Sequence, residues 1–362
     1  STPVLFYDKA AFRKARLDPE KAPATWFEMQ GMLDKLQEAG YSCPYTTSWP
    51  VWVHVDNVSA VSGVPSMTDK GQLAFNGLPQ VKHIAMMATW TKANYFKHFG
   101  RRNEASKKFL DGECAMITTN SREHIQFSAA KGRDLGVALM PYHDDVYGGR
   151  QPALADGATL WIGAGRSPAE YAQVAKFITF MLAPDIQIEG VRVYGSLPMT
   201  TAARAAARSK LLQGDSDRTL EVAYHALKGK SSGQNRHVSD IDAVRIITDE
   251  ELEDVWANKI PAKAALDNAV NRGSAVLAAK PALKKAQGDM VGWFGQDALN
   301  RARSKIGTDK PLAEHLDRAF DKFRQSVVDD LHGIYQMERD MTGGKIMPGG
   351  AYETARLSRA SA

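Results

Sequence analysis

The sequence predicts an α/β fold built on mixed sheets. Three observations carry that expectation: short β-branched and aromatic runs recur along the chain, amphipathic helical stretches separate them, and turn or capping residues stand at the junctions. Residues 1–7 read as a strand and 8–15 as a short helix that ends in the loop through Asp18 and Pro19. Thr25 suits an N-cap for a helix opening at Trp26, with Glu28 placed to complete a capping box. Trp26, Met29, Met32, Leu33 and Leu36 share one face of that helix, and Gly40 stops it. Residues 43–52 read as aromatic loop and strand.

A helix is expected over 81–99, with Ile84, Met87 and Trp90 on one face, and another over 104–110. Strands are expected at 114–117, 136–141 and 159–162, and further helices at 168–182, 250–257 and 262–277. No internal repeat or low-complexity linker interrupts this order.

Composition narrows the function classes. The 362 residues are 44% hydrophobic and 24% charged, enough to bury a core without staples. Forty-six Lys and Arg against 41 Asp and Glu give a net charge of +5. The positive charges are scattered, which argues against nucleic acid as a partner and suits a small anionic ligand. No apolar run approaches the ~18 residues of a membrane span. Residues 1–7 lack the basic and apolar regions of a signal peptide, so the expectation is either a cytosolic chain or a mature or truncated exported one. Cys43 and Cys114 are compatible with one disulfide or with two buried thiols.

Cofactor and catalytic motifs are absent: no GxSxG, Walker loop or GxGxxG occurs, so neither an enzyme nor a cofactor is expected. His54, His83, His98, His124, His143 and His237 are not at metal-ligand spacing. Asp144 and Asp145 read as a solvated turn, and Met29, Met32, Met86, Met87 and Met116 as core.

Four segments, in order, carry a resemblance. They are Leu5 to Ala15 with Leu17-Asp18-Pro19 and Ala24-Thr25-Trp26; Phe109 to Met116; Gly136 to Pro141; and Gly157 to Ile162 with Ala175 to Phe180 and Tyr194 to Pro198. Together they resemble the sugar-type solute-binding proteins of ABC importers. Trp49, Trp52, Asn57, Gln80 to Met86, Gly100-Arg101 and Val244 to Glu253 resemble, within that family, its glycerol-phosphate binders. The likeness runs from Ser1 to about residue 277.

The resemblance implies a two-lobe periplasmic binding protein that takes sn-glycerol 3-phosphate or a glycerophosphodiester and delivers it to the membrane permease subunits. It implies that 1–155 and 205–280 belong to lobe two and 156–204 to lobe one. The family has further residues ahead of the position Ser1 matches, so the first half of lobe one is expected to be missing. Site residues follow by position. Arg245 matches a phosphate-contacting arginine, whose planar fork suits two phosphate oxygens. Trp49 matches a tryptophan that walls the site, Ser1 a serine at the crossover between lobes, and Gly157 a glycine whose N–H approaches the ligand. Asn120 stands where the family has a serine, with Ser121 beside it, and either is expected to donate to phosphate. Ser196 replaces a tyrosine, with Tyr194 two residues earlier, which leaves room for a bulkier headgroup.

Residues 281–362 do not share the resemblance and read as a helical extension. Leu312, Leu316, Phe320, Phe323, Val327, Leu331 and Ile334 form an apolar stripe over 308–334. A metal reading of Glu314, His315, Asp317, Asp329, Asp330 and His332 is rejected for want of a paired ligand motif. The alternative role for this segment is an oligomerisation or enzyme module.

Overall fold

A computed structural model describes residues 1–278, apart from 69, 131, 133, 147, 158–159, 161, 212–214 and 230–240. The helix expected over 308–334, its acidic and histidine residues, and His237 lie outside the described residues. The chain divides after Asn271, and Ser1–Asn271 form the first compact unit.

One five-stranded mixed sheet organises the first unit. Its strands are β1 (Pro3–Asp8), β2 (Cys43–Thr47), β3 (Phe96–Lys97), β4 (Cys114–Asn120) and β5 (Leu135–Leu139), in the order β3-β2-β4-β1-β5. β1 runs antiparallel to both neighbours, pairing Val4 with Thr119 and with Leu139, while β2 runs parallel to β3 and β4. Alternation along β1 divides the core between two faces. Val4 and Phe6 pack with Phe109, Ile117 and Phe127 on one side. Leu5 and Tyr7 pack with Phe12, Trp26, Met29, Tyr45 and Trp90 on the other. Each large side chain so buried contributes about 1.5–3 kcal/mol.

The helices follow local capping chemistry. Asp8 caps α1 (Lys9–Lys14), accepting from the N–H groups of Ala10 at 2.8 Å and Ala11 at 3.2 Å. Thr25 caps α2 (Trp26–Glu38) by accepting from Glu28 N at 3.1 Å. Glu28 does not close the expected capping box; it accepts from Ala24 N, one residue further out. Trp26, Met29, Leu33 and Leu36 of the expected face are buried, and Met32 is half-buried. A π-helical turn over Trp52–Asn57 leads into α3 (Val58–Val61). The helix expected over 81–99 is α4 (Leu78–Lys92). It starts earlier because Pro79 suits the first turn. It stops earlier because Asn94 adopts a left-handed φ of 59° and turns the chain into β3.

α5 (Glu104–Leu110) and α6 (His124–Ala129) flank β4. α7 (Pro168–Leu182) opens on a complete Ser167–Glu170 capping box and leads through Ala183 into α8 (Pro184–Tyr194), which Gly195 ends in the left-handed conformation. α7 buries none of its residues, and Phe177 and Phe180 stand exposed. Of the strand expected at 159–162, Leu160 and Ile162 lie outside any strand and are exposed, while 159 and 161 lie outside the described residues. α9 (Thr201–Leu211), α10 (Asp215–Ala226), α11 (Ile241–Trp256) and α12 (Ala262–Ala278) complete the described chain. α11 begins nine residues before the helix expected from Glu250, which places Arg245 on a helix.

Cys43 and Cys114 are joined as a disulfide across the directly paired positions of β2 and β4, and both are buried.

Candidate ligand-binding site

A cavity of about 710 Å³ opens beside the sheet, within the range of small-molecule sites. The crossover after β2 supplies one wall. Trp49 takes a left-handed φ of 56°, a conformation costly for a bulky side chain. Two backbone bonds hold it there: Trp49 N donates to Arg102 O at 2.8 Å, and Trp49 O accepts from Val53 N at 3.0 Å. The indole lines the cavity, and the Arg102 guanidinium lies over its ring at 5.4 Å. Trp52 adds a second aromatic surface.

Four arginines line the cavity, in two states of engagement. Arg245 on α11 donates Nε and Nη2 to Asp56 Oδ2, at 3.0 and 2.9 Å, and its Nη1 stands 3.6 Å from Asp156 and 3.8 Å from Asp242. Burial pulls down its pKa, but Asp56, Asp156 and Asp242 more than offset that and hold it above the ordinary value. Arg101 forks onto Glu253 with two bonds of 2.6 Å. Arg102 and Arg122 pair with no carboxylate side chain among the described residues. Arg122 instead donates Nε to the Tyr194 carbonyl at 2.9 Å, at the end of α8. Burial raises the pKa of the two buried lining acids, Glu123 and Asp249, the latter to about 7, which moves the local balance toward positive charge.

Five of the seven expected residues meet here: Ser1, Trp49, Asn120, Gly157 and Arg245. Their details differ from expectation. Asn120 caps the short turn after β4, its Oδ1 accepting from Arg122 N at 3.1 Å, so its side chain positions Arg122. Gly157 donates its N–H to Asp156 Oδ1 at 2.7 Å, and a Cβ there would meet nothing within 4 Å. Ser1 bonds Asp156, its O accepting from Asp156 N at 2.9 Å. Ser121 is not in the lining; it is buried against Thr2, whose N–H it accepts at 3.3 Å. Ser196 is not in the lining either, because Gly195 turns the chain away there and Tyr194 takes the wall position.

Arg102, Arg122, Asp156 and Asp249 carried no expectation. The Arg101-Arg102 doublet was the one visible signal, and the others depend on contacts 70 or more residues apart in sequence.

Comparison with known proteins agrees with this architecture. A family profile for bacterial extracellular solute-binding proteins matches residues 1–217. The sn-glycerol-3-phosphate-binding periplasmic protein UgpB of Pectobacterium atrosepticum is 38% identical over 295 residues, covering 76% of this chain and 64% of that protein. Its Salmonella typhimurium counterpart is 37% identical over 289 residues, covering 76% and 65%. The chain thus spans just under two thirds of the length of these relatives. Among solved structures, UgpB from Mycobacterium tuberculosis in complex with glycerophosphocholine superposes with a TM-score of 0.58 at 18% identity, covering 78% of this chain and 69% of that one. The cyclic α-maltosyl-1,6-maltose binding protein of Arthrobacter globiformis gives 0.59 at 20% identity, covering 76% and 70%. These are two-lobe α/β binding proteins, and the α/β class expected from the sequence is the one observed over the described residues. With 217 of its 362 residues under the family profile and the fold of its structural neighbours, the chain belongs to the bacterial extracellular solute-binding proteins.

Proposed function

We propose that this chain captures a glycerol phosphate, sn-glycerol 3-phosphate or a glycerophosphodiester, as the binding component of an ABC importer. One observation carries the reading: Arg102 and Arg122, which pair with no carboxylate side chain among the described residues, face a cavity walled by Trp49 and Trp52. Guanidinium groups without a carboxylate suit phosphate oxygens, and flat indoles suit the carbon skeleton. Arg245 Nη1, loosely held by Asp156 and Asp242, would add a third donor. The names of the relatives favour the same ligand class, and the volume favours the diester.

Capture would proceed by closure of two walls on the ligand, with no bond made or broken. Residues 156–204 supply Asp156, Gly157 and Tyr194, and the flanking segments 1–155 and 205–280 supply the tryptophans and arginines, in keeping with a division into lobes along those boundaries. The Cys43–Cys114 disulfide favours an oxidising compartment, so we place the protein in the periplasm, handing its ligand to permease subunits in the membrane. Calorimetry with sn-glycerol 3-phosphate and glycerophosphocholine tests the reading. Saturable heat from either supports it, and no heat from both, on a folded sample, overturns it.

A further inference from the structure

α11 sets Arg245 and Asp249 one helical turn apart, and both line the cavity. Residues so spaced lie about 5–6 Å from each other at Cβ. Arg245 is held by Asp56, whereas Asp249 is held by nothing on its Oδ1. That oxygen is buried without a hydrogen-bond partner, on a residue only 9% exposed. The cations that act on it are turned elsewhere: Arg101 gives two bonds to Glu253, and Arg102 lies over Trp49. A fold keeps a buried acceptor unpaired at a cost, so a lone acceptor at a cavity wall points to a donor that arrives from outside.

We propose that Asp249 determines specificity for the non-phosphate half of the ligand, accepting a hydrogen bond from a hydroxyl of its glycerol moiety. The proposal rests on the glycerol phosphate reading of the cavity. The spacing fits it: a three-carbon polyol phosphate spans about one helical turn, so an anion near Arg245 puts a hydroxyl within reach of Asp249. The electrostatics fit it too. Burial lifts the Asp249 carboxyl to about 7, with Arg101 and Arg102 pulling it down and Glu253 and Asp56 pushing it up. Near its midpoint at neutral pH, this group repels a neighbouring phosphate less than a fully ionised carboxylate would.

The test compares sn-glycerol 3-phosphate with methyl phosphate, which keeps the phosphate monoester and lacks the hydroxyls. Calorimetry is run on the wild type, Asp249→Asn, Asp249→Ala and Asp249→Leu, the last being close in size with no acceptor. The expected result is a roughly tenfold loss of affinity for glycerol 3-phosphate in the Ala and Leu variants, with methyl phosphate unchanged. Asp249→Asn, which keeps an acceptor oxygen, should stay within about threefold of the wild type. Melting temperatures should not fall, because the carboxyl oxygen in question has no partner to lose. Equal losses for both ligands, or none for either, would overturn the role of Asp249. Should wild-type protein bind glycerophosphocholine but not glycerol 3-phosphate, the same comparison is made between glycerophosphocholine and phosphocholine, which lacks the glycerol. Wild-type protein that binds neither glycerol 3-phosphate nor glycerophosphocholine would overturn the glycerol phosphate reading itself, and this proposal with it.

Discussion

His54 and His83 share a hydrogen bond of 2.9 Å between Nδ1 and Nε2, with both rings wholly buried and stacked at 20°. The row of rings extends at both ends. His83 Nδ1 meets His143 Nε2 at 3.0 Å, and His54 Nε2 meets the Tyr45 hydroxyl at 3.1 Å, which also bonds Thr118 Oγ1. Three neutral rings joined end to end must all donate in the same sense along the row, since each carries one proton.

This row predicts acid lability. Burial drives His54 down to about 3. His83 is lowered by burial and then by the rings on either side of it. His143 is lowered to about 4 by burial and by Lys82, against Asp145 and Asp144. The unfolded chain protonates all three near 6.5 and the folded chain does not. Their stability is therefore complete above pH 6.5 and is lost as pH falls toward 4. Each histidine takes away about 1.4 kcal/mol per pH unit across that window. Asp249 works in the opposite sense between about 4 and 7, because its folded pKa is raised. Glu123 and Asp56, also raised by burial, act in the same direction, so the carboxyls offset part of the histidines' loss. Urea midpoints should drop from pH 7 to pH 5, and His143→Gln should flatten the drop by about one proton. A wild-type midpoint unchanged at pH 5 would contradict the neutrality of the rings.

The histidine row also shows what the sequence makes legible and what it hides. Its members stand 29 and 60 residues apart, and no spacing rule links them. Trp26, Met29, Leu33 and Leu36 are legible because helical periodicity is local, and Thr25 because a cap acts three residues away. The end of α4 is not: Asn94 leaves the helix because β3 pairs with β2, a tertiary demand that overrides a favourable local pattern. The site divides the same way. Trp49 and Arg245 were reachable by resemblance, whereas Arg122 and Asp249 gain their meaning from Tyr194 and from the absence of a partner, neither of which is written locally.

The Cys43–Cys114 bond should be a major source of stability. It closes a loop of 71 residues, and the chain-entropy argument gives about 4 kcal/mol for a loop of that size. Thermal unfolding with and without a thiol reductant, and of the Cys43→Ala/Cys114→Ala variant, measures it. Both cysteines are buried, so reduction should need prior separation of the paired strands β2 and β4 and should be slow without denaturant. Equal melting temperatures in oxidised and reduced protein would rule the contribution out.

Gly136 should tolerate no side chain. It pairs with Tyr7 across β1 and β5, and a Cβ at that position would overlap the Tyr7 ring. The ring has little room to yield: it packs on Phe12 at 4.6 Å, and its hydroxyl donates to Pro19 O at 3.1 Å. Gly136→Ala is expected to cost about 1–3 kcal/mol by overpacking. Adding Tyr7→Leu should recover part of that loss, because the two substitutions share one volume. Additive losses in the double variant would show that the clash is relieved by backbone movement instead.

Arg122 and Arg245 should separate binding from folding. Arg122 is exposed and gives one bond to a carbonyl, so Arg122→Gln should change stability by less than about 0.5 kcal/mol. It should still weaken an anionic ligand about tenfold, since a charge-assisted donor is lost from the cavity. Arg245→Gln should do both. Asp56 is pushed up by burial and held down by Arg245, so removing the guanidinium strands a buried carboxylate at a cost of about 3 kcal/mol. Asp56→Asn combined with Arg245→Gln should restore most of the stability and none of the affinity. Chemical unfolding and calorimetry on the same four proteins decide the point. If the double variant regains affinity along with stability, Arg245 acts only as a structural partner of Asp56, and the anion must be held by Arg102 and Arg122 alone.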